Sequence, residues 1–124
     1  MKKHLAIFSK EEIEKIFSGE KRVDVRLSKK KVAPYFEVST GDLVYFKFSK
    51  QDIAGQFKVK KAIFLEGMEE SDLDFLEKKF EVSIPKKEIA KYLTLIFFTE
   101  VEQFIVSPIK INKKNSKSWI VFEP

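Results

Sequence analysis

The residues with the most distinctive chemistry lie in one short segment, residues 19–26, with the sequence GEKRVDVR. Arg22 and Arg26 are the only arginines among 24 basic residues, so lysine supplies the remaining positive charge. A guanidinium carries a planar fork of donors that suits carboxylate, phosphate or base-edge recognition. Asp24 stands between the two arginines and can orient either one. The segment is therefore a candidate ligand-binding cluster, with structural pairing of the arginines to a carboxylate as the alternative.

A helix is predicted immediately before this charged motif. Ser9 is a typical N-cap residue, and Glu12, three positions later, completes a capping box. Three apolar residues follow at helical spacing and should pack on the body of the domain: Ile13, Ile16 and Phe17. Gly19 suits the left-handed position that ends a helix. The predicted helix thus ends where the motif begins.

The motif itself is predicted to form a β-strand, because apolar and charged residues alternate from Lys21 onward. One side of this strand carries only aliphatic residues and should face the core: Val23, Val25 and Leu27. The charged residues Arg22, Asp24 and Arg26 are therefore expected in a row on the opposite face.

The remaining chain predicts an α+β fold around a curled, mostly antiparallel sheet with two to three flanking helices. The predicted strands cover residues 5–8, 43–48, 53–65 with a bulge at 60–62, 94–106 and 119–122. A second helix is predicted to start at Ser71, with Asp74 at the capping-box position and Leu73, Leu76 and Phe80 buried. A third, short helix is predicted over residues 85–92. A single domain over residues 1–124 is expected.

Composition excludes several kinds of site. The chain has no cysteine and one histidine, His4, which excludes thiolate metal sites, cysteine nucleophiles and histidine-rich metal sites. We predict no metal and no cofactor. No segment reaches the roughly 18 apolar residues of a membrane span, and the N-terminus is too polar for a signal peptide. A soluble, cytoplasmic protein is expected, and sparse Asn and Gln beside abundant Lys and Glu hint at a thermophilic source.

Charge is segregated along the chain, whose net formal charge is +5. Residues 20–61 are predominantly basic, whereas residues 66–77 contain six carboxylates and no base, a combination that repels a polyanion. The basic residues expected to follow a nucleic-acid backbone are those of residues 113–117 together with Lys29, Lys30, Lys31, Lys58 and Lys60. Ordinary solvated surface charge is the alternative interpretation.

The motif resembles a known family signature. Gly19, Lys21, Asp24 and Arg26 form G-x-K-x-x-D-x-R, and residues 41–44, with the sequence GDLV, open a later strand. This arrangement resembles the ASCH domain of the PUA-like superfamily, whose motif is G-x-K-x-x-E-x-R. Asp24 is a conservative departure that shortens the acid by one methylene. The resemblance covers roughly residues 5–65 with motifs.

This resemblance implies a small PUA-like β-barrel with a charged cleft beside the first helix, and a role in binding RNA or a nucleotide. Lys21, Arg22 and Arg26 could then engage phosphate or a carbonyl, while Asp24 could accept a hydrogen bond from an exocyclic amine. Three aromatic residues are candidates either for stacking a base or for core packing: Tyr35, Phe36 and Trp119. The expected partner is RNA, a nucleotide or a nucleoside.

Besides nucleic-acid binding, an enzymatic function with either of two substrates and a protein-interaction function remain open. Some small ASCH-like proteins hydrolyse the amide of acetylated cytidine with the motif lysine, a threonine three residues later and a downstream glutamate. Lys21 matches the lysine, but Asp24 replaces the threonine and would act as a general base instead, with Glu66 as a conceivable downstream acid. Related proteins have been associated with RNA cleavage, in which Lys21 and Arg26 could stabilise phosphate charge. A protein-interaction module that uses the acidic segment 66–77 is the third possibility.

Overall fold

The computed structural model describes residues 1–84, 90–110 and 117–122 of the chain. These ranges contain six strands and two helices. The strands are β1 Lys3–Ile7, β2 Val23–Ser28, β3 Leu43–Lys47, β4 Ile53–Glu66, β5 Tyr92–Gln103 and β6 Trp119–Phe122. The helices are α1 Lys10–Ser18 and α2 Glu70–Phe80.

All six strands form one sheet in the order β2-β5-β4-β3-β1-β6. Every neighbouring pair is antiparallel except β1 and β3, which run parallel. In a flat sheet the outermost strands would lie about 24 Å apart. Arg26 on β2, however, has its Cζ only 5.2 Å from the ring centre of Trp119 on β6. The sheet is therefore strongly curled, and the predicted α+β fold with a barrel-like, mostly antiparallel sheet is confirmed.

Helix α1 has the predicted ends. The Ser9 hydroxyl accepts a hydrogen bond from the Glu12 backbone N–H, and the Glu12 carboxylate accepts one from the Ser9 N–H, both at 3.1 Å. Gly19 ends the helix with a φ of 85°, a conformation that costs glycine little because it lacks a Cβ atom. Ile13 and Ile16 are buried against the sheet. The local signals alone thus fix the point at which the charged motif starts.

The two faces of the sheet carry different cores. The inner face, which packs against α1, carries a large apolar cluster that includes Phe46, Phe57 and Ile96. The outer face packs against α2 through a second cluster, in which Leu76 of the helix contacts the region of Leu95. A third cluster, centred on Leu5, Tyr45 and Ile53, lies at the β1–β3 side. Both faces of β2 are consequently covered, the aliphatic one by the second cluster.

The bulge predicted in the long strand is confirmed, since the pairing of β4 with β5 shifts register between Val59 and Lys61. The predicted start of the second helix was wrong. The N-cap of α2 is Glu69, and its backbone N–H donates to the Asp72 carboxylate at 2.8 Å. Ser71 therefore lies inside the first turn of α2, and the capping-box acceptor is Asp72 rather than Asp74.

Of the third predicted helix, residues 85–89 lie outside the described residues. Its predicted end at residue 92 is wrong because Tyr92 opens β5, opposite Ser28. That strand ends at Gln103 rather than at residue 106. Phe104 donates its backbone N–H to the Ala54 carbonyl at 2.8 Å, and the side chains of Ile105 and Val106 are exposed. Strand pairing therefore overrides the local helical spacing around Tyr92.

A buried hydrogen-bonded chain joins β1, the start of β3 and β6. The Trp119 indole N–H donates to His4 Nδ1 at 3.1 Å, so the His4 proton is on Nε2 and is donated to Asp42 Oδ2 at 2.8 Å. Asp42 also accepts the backbone N–H groups of Lys2 and Ser39, each at 3.0 Å. His4 is completely buried. This chain fixes the position of the Trp119 ring on the inner face.

Both titratable members of the chain have shifted pKa values. Burial lowers the pKa of His4 below its ordinary value of 6.5, against the opposing effect of Asp42. Burial by itself would raise the pKa of Asp42, but the hydrogen bonds from His4, Lys2 and Ser39 outweigh it and lower that pKa. Neutral His4 beside an ionised Asp42 is therefore the stable arrangement.

Lowering the pH from about 7 to about 5.5 is expected to destabilise the protein. The unfolded chain protonates His4 near its ordinary pKa, whereas the folded chain keeps it neutral, so the contribution is present above that pKa and is lost as the pH falls. The loss approaches about 1.4 kcal/mol per pH unit. Urea titrations across this range measure it, with His4→Gln as the control that should remove the dependence. A free energy of unfolding that is independent of pH in the wild type would contradict a buried neutral His4.

Candidate functional site

The charged motif lies on β2, at one end of the sheet, directly after α1. Two backbone hydrogen bonds fix its entry: Lys21 N–H donates to the Lys15 carbonyl at 3.0 Å, and Phe98 N–H donates to the Arg22 carbonyl at 3.1 Å. Asp24 and Arg26 point to the inner face, while Val23 and its aliphatic neighbours point to the outer one. The predicted separation of charged and aliphatic faces is therefore found for these residues.

Asp24 is the centre of the cluster and is only 2% exposed. Its Oδ2 accepts a hydrogen bond from Arg26 Nε at 2.7 Å, and its Oδ1 lies 3.6 Å from Lys21 Nζ. Lys21 Nζ also lies 3.7 Å from Glu12 Oε2. The motif lysine consequently sits between two carboxylates, one from β2 and one from α1.

Glu12 is the site residue that the sequence did not reveal. It occupies the capping-box position of α1, so its pattern indicated only a structural role. Burial opposes ionisation of Glu12, but the hydrogen bonds from Ser9 and the charges of Lys21 and Arg26 outweigh it and hold its pKa below the ordinary value. The Glu12 carboxylate therefore stays ionised beside Lys21.

Arg26 connects the two ends of the curled sheet. Its Nη2 donates to the Ile7 carbonyl at the end of β1, at 3.0 Å. Its guanidinium carbon lies 4.7 Å from the ring centre of Phe8 and 5.2 Å from that of Trp119. The side chain is 15% exposed. These contacts use the planar fork for packing and for backbone hydrogen bonding across the seam between the sheet ends.

Arg22 is placed differently from Arg26. It is exposed, and its Nε donates to the Gly19 carbonyl at 3.3 Å. Among the described residues Asp24 pairs with Arg26 and Lys21, and Arg22 takes no part in that group. The sequence predicted that Asp24 could orient either arginine, and in the structure it is hydrogen-bonded to Arg26.

An open cleft of about 540 Å³ adjoins the motif between α1, β2 and the end of α2. Seven charged residues line it, three basic and four acidic: Lys15, Lys21, Arg22, Glu12, Glu20, Asp24 and Glu81. The cleft therefore offers hydrogen-bond donors and acceptors in nearly equal number, without a strong excess of positive charge.

The predicted basic residues are divided between two places. Lys29, Lys30 and Lys31 are exposed on the loop that follows β2. Lys58 and Lys60 point to the outer face, because they alternate with Phe57 and Val59 of the inner cluster, and Lys58 Nζ lies 3.8 Å from Glu100. The structure thus brings Lys58 and Lys60 away from the motif. Most of the other predicted basic loop, residues 113–116, lies outside the described residues.

The three aromatic candidates separate by exposure. Tyr35 and Trp119 are buried, at 5% and 3% exposure, and belong to the core. Phe36 is 60% exposed. Only Phe36 among them is therefore accessible for stacking a base.

The structure also shows the positions of Glu66, the acid considered for hydrolysis, and of the acidic segment 66–77, considered for protein interaction. Asp24 on β2 and Ala62 on β4 are both paired with Ile96 on β5, so they lie side by side across the sheet. Glu66 is exposed at the end of β4, four residues or about 13 Å beyond Ala62. It therefore does not join Lys21 and Asp24, and Glu12 is the second carboxylate near the lysine. Within the acidic segment, Asp72 and Glu77 accept backbone hydrogen bonds from Glu69 and Ile84. Part of that segment thus serves the fold.

These features define an α+β protein with a curled six-stranded sheet and a charged cleft beside its first helix. The fold is that of ASCH-domain proteins. It matches the ASCH protein from Zymomonas mobilis with a TM-score of 0.68 and 12% identity, over 98% of this chain and 87% of that one. A point mutant of the same protein matches with a TM-score of 0.69 and 11% identity, over 98% and 88% of the two chains.

A more distant structural match is the hypothetical protein PH0355, with a TM-score of 0.52 and 20% identity over 84% of this chain and all of that one. No protein-family model matches the sequence, and the search of curated proteins gave no match. In the described ranges, neither helix combines the length and apolar character of a membrane span, and no three potential ligands are grouped to hold a metal ion.

The two arginines form a matched pair of test sites. Arg26→Lys keeps the charge but removes the bonds to Asp24 and Ile7, and is expected to lower the free energy of unfolding by about 2 to 4 kcal/mol. Arg22→Lys should change it by less than about 0.5 kcal/mol, because Arg22 is exposed. Urea unfolding of both variants measures the difference. Equal, small effects would show that Arg26 does not connect the ends of the sheet.

Proposed function

We propose that the protein binds single-stranded RNA or a nucleotide, with a base in the cleft beside α1 and the phosphates on the loop of residues 29–31. The observation that carries this proposal is the position of Lys21 Nζ, 3.7 Å from Glu12 and 3.6 Å from Asp24, at an open cleft. A base edge presents carbonyl acceptors and amine donors. The Lys21 ammonium supplies donors, and the Glu12 carboxylate, whose side chain is 41% exposed, supplies an acceptor, while the buried Asp24 helps to hold Lys21 in place.

The charges of the cleft favour a base over a phosphate at this position. Four of its charged residues are acidic and three are basic, so a phosphate would meet repulsion from Glu12 and Asp24. The exposed loop with Lys29, Lys30 and Lys31 has no such carboxylate within it. It follows the far end of β2, about 20 Å from the start of that strand. An oligonucleotide is long enough to reach both places.

Two further points support this function. The sequence motif resembles that of ASCH domains, for which RNA binding is the usual proposal, and the fold is of the same type. The acidic helix α2 lies on the outer face, so it does not cover the loop of residues 29–31. A nucleic acid on the inner-face side of β2 therefore lies on the opposite face of the sheet from α2, while Glu66, where the acidic segment begins, is two strand spacings or about 10 Å from Ser28 at the start of the loop.

Hydrolysis of a modified nucleoside is the second candidate, and the pairing of Glu12 with Lys21 favours it. Glu12 has a side chain that is 41% exposed and a pKa held below its ordinary value, so it is ionised at neutral pH. This carboxylate is available to activate water, with Lys21 stabilising the resulting oxyanion, although its lowered pKa makes it a weaker base than an ordinary glutamate. Asp24 is less suited to this role because it is buried and its Oδ2 holds Arg26.

Binding is tested with a fluorescent single-stranded RNA of about 12 nucleotides, titrated at about 50 and 200 mM salt. The double variant Lys29→Gln/Lys30→Gln is expected to weaken binding and to reduce the slope of log affinity against log salt by about 1.4. The matched control Lys58→Gln/Lys60→Gln removes the same charge from the outer face and should leave the slope unchanged. Equal losses in both double variants would contradict a defined binding face.

The role of the cleft is tested separately. Lys21→Gln should weaken RNA binding about tenfold. The slope of log affinity against log salt should change by less than about 0.7, the value for one phosphate contact, because Lys21 contacts a base rather than a phosphate. Absence of RNA binding by the wild type at low salt would overturn the proposal. Turnover of an acetylated nucleoside that disappears in Glu12→Gln would then establish the second candidate.

A further inference from the structure

Phe36 stands out among the aromatic residues of the inner-face side. Its side chain is 60% exposed, and its backbone has a φ of 58°. The left-handed region is uncommon for any residue with a Cβ atom and is an outlier for a bulky aromatic. Strained positions of this kind are found preferentially at functional sites. An exposed phenylalanine in a strained conformation is not explained by core packing alone.

The Phe36 ring is nevertheless held in place by other aromatic rings. Its centre lies 4.6 Å from that of Tyr35 and 5.0 Å from that of Phe64. Tyr35 in turn packs on Phe64 at 5.5 Å and on Tyr92 at 4.9 Å. Tyr35 and Phe64 therefore support the Phe36 ring from the protein side, while the residue as a whole stays 60% exposed.

This aromatic group lies on the same face of the sheet as the charged motif. Phe64 on β4 is paired with Thr94 on β5, and Thr94 is paired with Arg26 on β2. Side chains at paired positions share a face, so Phe64, Thr94 and Arg26 form one row across three strands. Phe36 covers the Phe64 end of that row, two strand spacings or about 10 Å from Arg26.

Positive charge is placed beside the exposed ring. Lys31 Nζ lies over the Phe36 ring, 5.1 Å from its centre, and Lys29 and Lys30 precede Lys31 on the same loop. A base that stacks on this side of the ring therefore displaces the Lys31 ammonium, which is then free to contact a phosphate. Proteins that bind single-stranded nucleic acid combine aromatic rings, on which bases stack, with lysines that contact the neighbouring phosphates. The surroundings of Phe36 supply both parts.

We propose that Phe36 is a stacking platform for an unpaired base of single-stranded RNA, with Lys31 contacting the adjacent phosphate. The inference rests on the proposed function and gives a structural reason for its preference for single-stranded over duplex RNA, because only unpaired bases present an open face. Stacking on one ring tolerates any base, so this site contributes affinity rather than sequence preference.

The test compares variants of Phe36 in binding to single-stranded and duplex RNA of equal length. Phe36→Leu keeps apolar contact with Tyr35 and Phe64 but has no aromatic face, and should weaken single-strand binding about 5- to 100-fold. Phe36→Tyr should bind like the wild type. Phe36→Asn relieves the backbone strain, because asparagine tolerates the left-handed region, and should lose binding while retaining the thermal midpoint within a few degrees.

Phe75 provides the matched control. It is 62% exposed on α2, and Lys79 Nζ lies 5.7 Å from its ring centre, but it belongs to the acidic outer-face helix. Phe75→Leu should leave RNA binding unchanged.

If Phe36→Leu binds as tightly as Phe36→Tyr, the stacking inference is wrong while the proposed function stands. If the wild type binds duplex as well as single strands, stacking on Phe36 is also overturned. Failure of the wild type to bind any RNA removes both proposals.

Discussion

The fold depends on the bond between Arg26 and Asp24 at the seam where the two ends of the sheet meet. A carboxylate that is 2% exposed is unstable without a cation, and a guanidinium is the cation that tolerates such a site best. Arg26 Nε donates to Asp24, Nη2 donates to the Ile7 carbonyl, and the guanidinium carbon lies over the rings of Phe8 and Trp119. One side chain thereby links β2 with β1 and β6. The buried hydrogen bonds from Trp119 to His4 and from His4 to Asp42 fix the Trp119 ring against which Arg26 packs.

This structural use of Arg26 divides the motif into two parts. Asp24 and Arg26 maintain the curl of the sheet, whereas Lys21 and Glu12 face the cleft, where a ligand can reach them. The cleft is nearly neutral, so selectivity there must come from matched donors and acceptors rather than from net charge. In the proposed function, the lysines of the loop after β2 attract the phosphates, so base recognition and phosphate attraction would occur at opposite ends of one strand.

Much of the fold follows from short-range patterns in the sequence. The capping box of Ser9 and Glu12, the end of α1 at Gly19 and the bulge near Lys60 all depend on residues close together in the chain, and all are found. Where several local signals competed, prediction failed, as at the start of α2. The helical spacing around Tyr92 was misleading because β2 supplied backbone partners for a strand, and those partners are remote in sequence.

The sequence by itself determined the composition of the motif, its position after a capped helix and the alternation that separates its charges from its aliphatic residues. Only the tertiary structure decided which arginine closes the sheet, that the capping residue Glu12 also faces Lys21, that Lys58 and Lys60 point away, and that Phe36 is exposed while Trp119 is buried. Alternation along a strand specifies two faces, but it does not specify what covers each face. That depends on how the sheet curls and which residues distant in the chain meet across it.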